Sequence, residues 1–329
     1  MQNRREFIEK LSALGDLLRT AGVPDEIKSA AVNANPWFTP YFIDRAVAAI
    51  STWLTPTQLD RFLDHYPPRT ASPADIGIIC PGNFPLAGWY DVLMGLMSGN
   101  RVQARYSHQD QVLMRWMMEN WFRIDTKTAK FFREVTALDH PDFLLATGSN
   151  NTARYLHARY PDTPRLIRHN RFSAAILDPG QPPDITRLQD DIFLYNGLGC
   201  RNVSNIILLP GGDKEFFMKK LTEIPPYPLN PLYLERVLIE SVKSTMIRED
   251  EYCTDVLIIT PSDTLRYASM GYLYLIEVQD KAEADFLLAS CQDHLQCVVG
   301  REIQPGQTQY PSLGDFPDNQ DIFQIMLHI

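Results

Sequence analysis

The sequence predicts a two-lobed α/β protein, on three observations. The chain has 329 residues, enough for roughly two domains at about 150 residues each and for a sizeable core. Residues 1–64 carry helical periodicity throughout. From Asp75 onward short β-rich runs alternate with amphipathic stretches, the pattern of βαβ units on a parallel sheet.

In the first segment "FIEKLSALGDLL" sets apolar residues at i, i+3 and i+4, and "YFIDRAVAAISTWL" repeats the spacing, so the chain enters through helices. Next come "DIGIIC" as a strand, a helix from about Leu86, "RVQARY" as a strand, a helix from about Gln109, "DFLLATG" as a strand, a helix from about Asn151, and "AAIL". A second α/β stretch follows Cys200. It reads "NIILL", a helix through "KEFFMKKL", "DVLIIT", "YLYLIEV", the helix "KAEADFLLAS" and "LQCVVG". Breaks rich in Pro and Gly at "DPGQPPD" and "IPPYPLNP" punctuate this lobe, and "QPGQTQYPSLGDFPDNQD" forms an irregular tail before the last apolar run.

Composition narrows the function. Hydrophobic residues make up 45% and charged residues 22%, and the formal net charge of −9 opposes a phosphate backbone, which argues against nucleic acid as a partner. "MQNRREFIEK" at the amino terminus lacks the apolar core of a signal peptide, and nowhere do 18 apolar residues run together. The expectation is a cytoplasmic protein with no membrane insertion. Five cysteines, at positions 80, 200, 253, 291 and 297, form an odd set without a CxxC pair, so neither a disulfide framework nor a metal site is expected.

Four loops carry candidate chemistry. In "CPGNFPLAGWYDVL" a strand ends at Cys80 and the chain turns into a helix; Asn83 either points its amide into a cleft at the carboxyl end of a parallel strand or belongs to a plain turn. "SGNRVQARYS" leads to Arg105, a cation that could meet a cofactor's ribose or phosphate, or an exposed surface arginine. "LLATGSNNTARYL" sets Gly148 and Ser149 between a strand and a helix start, the geometry of an anion site and also of a capped turn. In "LYNGLGCRNVSNIILL" Cys200 sits at a turn-to-strand junction beside Arg201, where a cation would favour the thiolate; the arginine could equally face solvent or pair with an acid.

Taken in order, "PGNFPL", "GNRV", "ATGS" and the later Gly-Cys resemble the aldehyde dehydrogenase superfamily. "NPWFTPYFIDRAV", "YNGLGCRNVS" and "GQTQYPSLGDF" look like its LuxC-type acyl-CoA reductase branch over nearly the whole chain. The resemblance implies an aldehyde-dehydrogenase-like fold, with a Rossmann-like cofactor lobe, an α/β catalytic lobe and a cleft between them. The boundaries implied are 1–175 for the helical entry segment and cofactor-binding lobe, 176–300 for the catalytic lobe, and 301–329 for a tail returning to the lobe interface.

Carried over residue by residue, the resemblance implies that Cys200 takes the acyl group from an acyl-CoA as a thioester, and that Asn83 with the Cys200 N–H holds the oxyanion. Arg105 stands near the adenosine ribose of NADPH, with NADH as the other candidate cofactor, and Gly148 and Ser149 flank the pyrophosphate and nicotinamide. Aldehyde-oxidising members place a water-activating glutamate about three dozen residues before the cysteine. Here that region reads "LIRHNRFSAAIL" with no carboxylate. A thioester that must survive until a hydride arrives gains from that absence, which favours acyl-CoA reduction over oxidation to acid. His169 in that segment either shuttles a proton or is hydrogen-bonded near the lobe junction. Two other readings stay open: an acyl-phosphate reductase, and a degenerate binding protein of the same fold without catalysis. The oligomeric state, a homo-oligomer included, is left open as well.

Overall fold

The computed structural model describes residues 4–148, 150–179, 184–211, 213–247 and 250–329. The chain divides into two compact units, residues 1–169 with 312–329, and residues 170–311.

The first unit opens with four helices, α1 (Arg4–Ala21), α2 (Asp25–Ala34), α3 (Pro40–Trp53) and α4 (Pro56–Leu63). Thr39 and Thr55 cap α3 and α4 by accepting the Phe42 and Gln58 N–H groups, each with proline at the first helical turn where no N–H is missed. Five parallel strands follow: β1 (Asp75–Ile79), β2 (Arg101–Arg105), β3 (Phe132–Glu134), β4 (Phe143–Thr147) and β5 (Arg165–Arg168). Their order in the sheet is β3-β2-β1-β4-β5. The intervening helices are α5 (Trp89–Met97), α6 (Gln111–Ile124) and α7 (Asn150–Arg159). Leu11, Leu14, Ile43, Ile76, Ile78, Trp89 and Trp121 are buried in one core with the terminal helix Ile322–His328, which contributes Ile322, Phe323 and Met326. Trp89 and Trp121 meet edge to face at 5.3 Å, a favoured aromatic geometry.

The second unit carries β6 (Phe172–Leu177), α8 (Ile185–Phe193), β7 (Val203–Leu208), α9 (Lys214–Leu221), α10 (Pro231–Ile247), β8 (Tyr252–Cys253), β9 (Ile258–Pro261), β10 (Tyr272–Glu277), α11 (Lys281–Ser290) and β11 (Leu295–Val299). Its sheet runs β11-β6-β7-β10-β9-β8 and is parallel except for the short edge strand β8.

Two sequence boundaries move. The first lobe ends at His169 rather than 175, because the strand containing "AAIL" hydrogen-bonds to β7 and β11 in the second sheet. The segment 301–329 is divided instead of forming a single tail. Gly306 and Thr308 bond to Asp191 of the second unit, whereas Tyr90 donates to the Leu313 carbonyl and Arg69 to that of Met326 in the first. Helix α5 starts at Trp89, later than Leu86, which has φ 59° inside the preceding turn. Among the described residues no helix is long and apolar enough to cross a membrane, and no group of His, Cys, Asp and Glu side chains could hold a metal ion.

Candidate active site

In the first unit the strand order turns back at β1 and β4, and in open α/β sheets ligands bind outside the carboxyl ends of strands at such a switch point. The loop 81–88 leaves the carboxyl end of β1 and carries Asn83, which is exposed. Its backbone is fixed from several sides. Asn35 donates to the Gly82 carbonyl at 3.4 Å. A Cβ on Gly82 would stand 2.5 Å from Ser107 Oγ, and one on Gly88 would stand 2.5 Å from the Cβ of Cys80, so neither position accepts a side chain. Asp110 lies buried behind the loop, its carboxyl pushed well above the ordinary range by burial, against the pull of the Leu86 and Ala87 N–H groups. Burial also pushes the Cys80 thiol up, which leaves it a packing residue.

Arg105 closes β2 beside β1 and is exposed, its carbonyl accepting the Cys80 N–H at 3.0 Å. Gly148 follows β4, and its N–H donates to the Arg168 carbonyl at 3.2 Å, so that N–H serves the sheet. Ser149 lies outside the described residues. Arg168 ends β5 in a buried ion pair with Asp91 at 2.6 Å, and His169 follows it, exposed. One sheet edge therefore gathers Asn83, Arg105, Gly148 and His169. Cys200 belongs to the other unit.

In an open α/β sheet a dinucleotide would bind at this edge. Dinucleotide sites use the switch point, and a carboxylate after the second strand selects the ribose hydroxyl, whereas an arginine there accommodates a ribose phosphate. Here the residue at that place is Arg105, followed by Tyr106, Ser107 and His108, a run with no carboxylate. Arg105 would hold the adenosine end, and the start of α7 after Gly148 would face the pyrophosphate.

In the second unit Cys200 is half-buried on a turn closed by the Asn202 N–H donating to the Gly199 carbonyl at 3.0 Å. Ser173 on β6 donates to the Cys200 carbonyl at 2.9 Å and lies 3.1 Å from Cys297 Sγ on β11. Burial pushes the Cys297 thiol up to about 11, with Arg201 and Ser173 opposing and Cys200 and Asp191 adding to the rise. Cys297 thus stays a thiol at neutral pH. It is half-buried beside the Cys200 turn.

Sequence reasoning also missed Asp191. Buried on α8, it accepts the Gly306 N–H at 2.6 Å, the Thr308 N–H at 2.9 Å and the Thr308 hydroxyl at 2.7 Å. These are the glycine and threonine of "GQTQYPSLGDF", so this part of the motif is a clamp on α8. Burial pushes the Asp191 carboxyl from 3.8 up to about 6 against those three donors. A carboxyl raised on folding contributes stability that is fully present below about 3.8 and is lost as pH rises through about 6. Parent and Asp191→Asn urea-unfolding curves at pH 4 to 7 should therefore diverge. The parent loses up to about 3 kcal/mol relative to the variant across that window, and parallel curves would contradict the assignment.

The fold is aldehyde-dehydrogenase-like. An NADP+ complex of succinic semialdehyde dehydrogenase from Streptococcus pyogenes superposes with TM-score 0.61 over 90% of this chain and 76% of that one, at 13% identity. The NAD+ complex of a Mycobacterium tuberculosis aldehyde dehydrogenase gives TM-score 0.61 over 86% and 70%, at 14% identity. An NAD-dependent benzaldehyde dehydrogenase from Corynebacterium glutamicum gives 0.60 over 87% and 74%, also at 14%. No protein-family model matches the chain. A flavonol 3-O-glucosyltransferase of Arabidopsis thaliana is 24% identical over 123 residues, which are 36% of this chain and 26% of that enzyme, so the chain spans about a quarter of its length.

Proposed function

We propose that the protein is a nicotinamide-dependent oxidoreductase that reduces an acyl-CoA thioester to an aldehyde through an acyl group on Cys200. The observation that carries this reading is the Cys200 turn, a half-buried thiol on a loop fixed by side chains in a chain with a dinucleotide-type sheet. The resemblance of "YNGLGCRNVS" to acyl-CoA reductases supplies the substrate class. The lack of a carboxylate in 165–177 favours reduction.

The Cys200 thiolate attacks the thioester carbonyl, and the family resemblance assigns the oxyanion to the Cys200 N–H and the Asn83 amide. Collapse breaks the carbon–sulfur bond to coenzyme A, which leaves as its thiolate and takes up a proton. A bound nicotinamide cofactor would supply the hydride. The thiohemiacetal oxyanion formed on Cys200 then collapses, re-forming the carbonyl, expelling the cysteine thiolate and releasing the aldehyde. His169 is the proton carrier in this proposal.

Arg105 makes NADPH the preferred cofactor, and acyl-CoA-dependent oxidation of NADPH with release of free coenzyme A and aldehyde tests the reading. Arg105→Ala should raise the KM for NADPH by about 10- to 100-fold, the loss of a charge-assisted bond to phosphate, and alter that for NADH far less. Equal effects on both cofactors would place Arg105 outside the ribose site. No aldehyde from any acyl-CoA would sink the function.

A further inference from the structure

The segment before Cys200 is strained. Tyr195 and Asn196 have φ 55° and 59°, and Gly197 follows at 70°, three consecutive residues in the left-handed region. In that conformation a non-glycine Cβ is crowded by the following carbonyl oxygen, less so for asparagine than for tyrosine, and such strain persists only where surrounding contacts determine it. The turn reverses the chain at the end of α8, and a helix end leaves its last carbonyls without N–H partners.

Asn202 supplies those partners. Its side chain is buried, with 2% of its surface exposed. Its amide donates to the carbonyls of Asp191 at 3.1 Å, Ile192 at 3.3 Å and Leu194 at 2.8 Å. Its side-chain oxygen accepts the Gly199 N–H at 2.8 Å, while its own backbone N–H reaches the Gly199 carbonyl. Asn202 therefore grips both the end of α8 and the residue before Cys200.

We propose that Asn202 is the positioning residue of the Cys200 turn, holding the left-handed segment closed so that the Cys200 sulfur and N–H keep the geometry acyl transfer needs. The inference rests on Cys200 as the reacting thiol. A displacement of about 1 Å at a reacting centre can cost about a hundredfold in rate. Alkylation of the same thiolate by iodoacetamide develops no oxyanion for the Cys200 N–H to hold, so it reports on the thiol without its placement.

The experiment uses p-nitrophenyl acetate as acyl donor, because it contains no coenzyme A. Failure of acyl-CoA to acylate the parent would then sink the proposed function and leave this comparison standing. Two variants are compared, Asn202→Ser and Asn202→Asp. The aspartate keeps an acceptor for the Gly199 N–H and loses the amide donors, whereas the serine loses the donors without introducing a buried charge. Rates are taken per folded molecule at low temperature. Acylation of Cys200 should fall by about 10- to 100-fold in both, with iodoacetamide alkylation within about threefold of the parent. Acylation at the parent rate would overturn the inference. So would alkylation that changes in step with acylation, since the turn would then simply have come apart, or a parent that takes no acetyl group.

Discussion

Replacing Cys200 by alanine is expected to leave a folded protein that takes no acyl group from acyl-CoA and whose turnover falls by roughly four to six orders of magnitude, the effect of removing a nucleophile whose partners act with it as a unit. The fold should survive because the turn is held by groups the substitution leaves in place: the Ser173 hydroxyl on the residue-200 carbonyl and the Asn202 side chain on Gly199. Cys297 is the control. Its thiol is pushed up to about 11 by burial, so at neutral pH it remains protonated and cannot stand in as a nucleophile. Cys297→Ala should accept the acyl group as the parent does. An adduct on the Cys200→Ala protein, located by peptide mapping to another cysteine, would move the chemistry elsewhere.

The second large effect is at Asn83. Asn83→Ala should slow single-turnover acylation by roughly a hundred- to a thousandfold, as removal of one oxyanion-hole donor does, while the concentration of acyl-CoA giving half-saturation changes far less. The side chain is exposed, and the loop beneath it is fixed by Asn35 on the Gly82 carbonyl and by the close approach of Gly88 to Cys80, neither of which involves the Asn83 amide. An unchanged acylation rate would leave Asn83 a turn residue.

Much of the fold was legible because buried parallel strands announce themselves as apolar runs. "DIGII", "FLLAT" and "VSNIIL" are almost wholly buried. Strands β3 and β5 were not legible as such, since "FRE" and "RLIR" are short, carry charge and lie at the two edges of their sheet. The switch of "AAIL" to the second sheet depends on pairing with β11, more than a hundred residues further along, and no local pattern encodes that. The candidate site divides in the same way. Cys200, Asn83 and Arg105 stand out as polar residues at the ends of apolar runs. Asn202 and Asp191 act through hydrogen bonds to backbone groups, which leave no periodicity. The one available signal for Asn202 was its place two residues after the cysteine in a turn rich in glycine.

The central claim is an acyl-enzyme that waits for a hydride instead of reacting with water, and its lifetime by intact mass is the direct measurement. The protein is loaded with an acyl-CoA at neutral pH, freed of excess substrate and followed with and without added NADPH or free coenzyme A. The account predicts an adduct on Cys200 that persists in buffer alone and discharges on addition of either acceptor, to aldehyde with NADPH and back to acyl-CoA with coenzyme A. Rapid loss to the free acid in buffer alone would contradict it, showing that a group such as His169 activates water and that the protein is a thioesterase or an oxidising dehydrogenase.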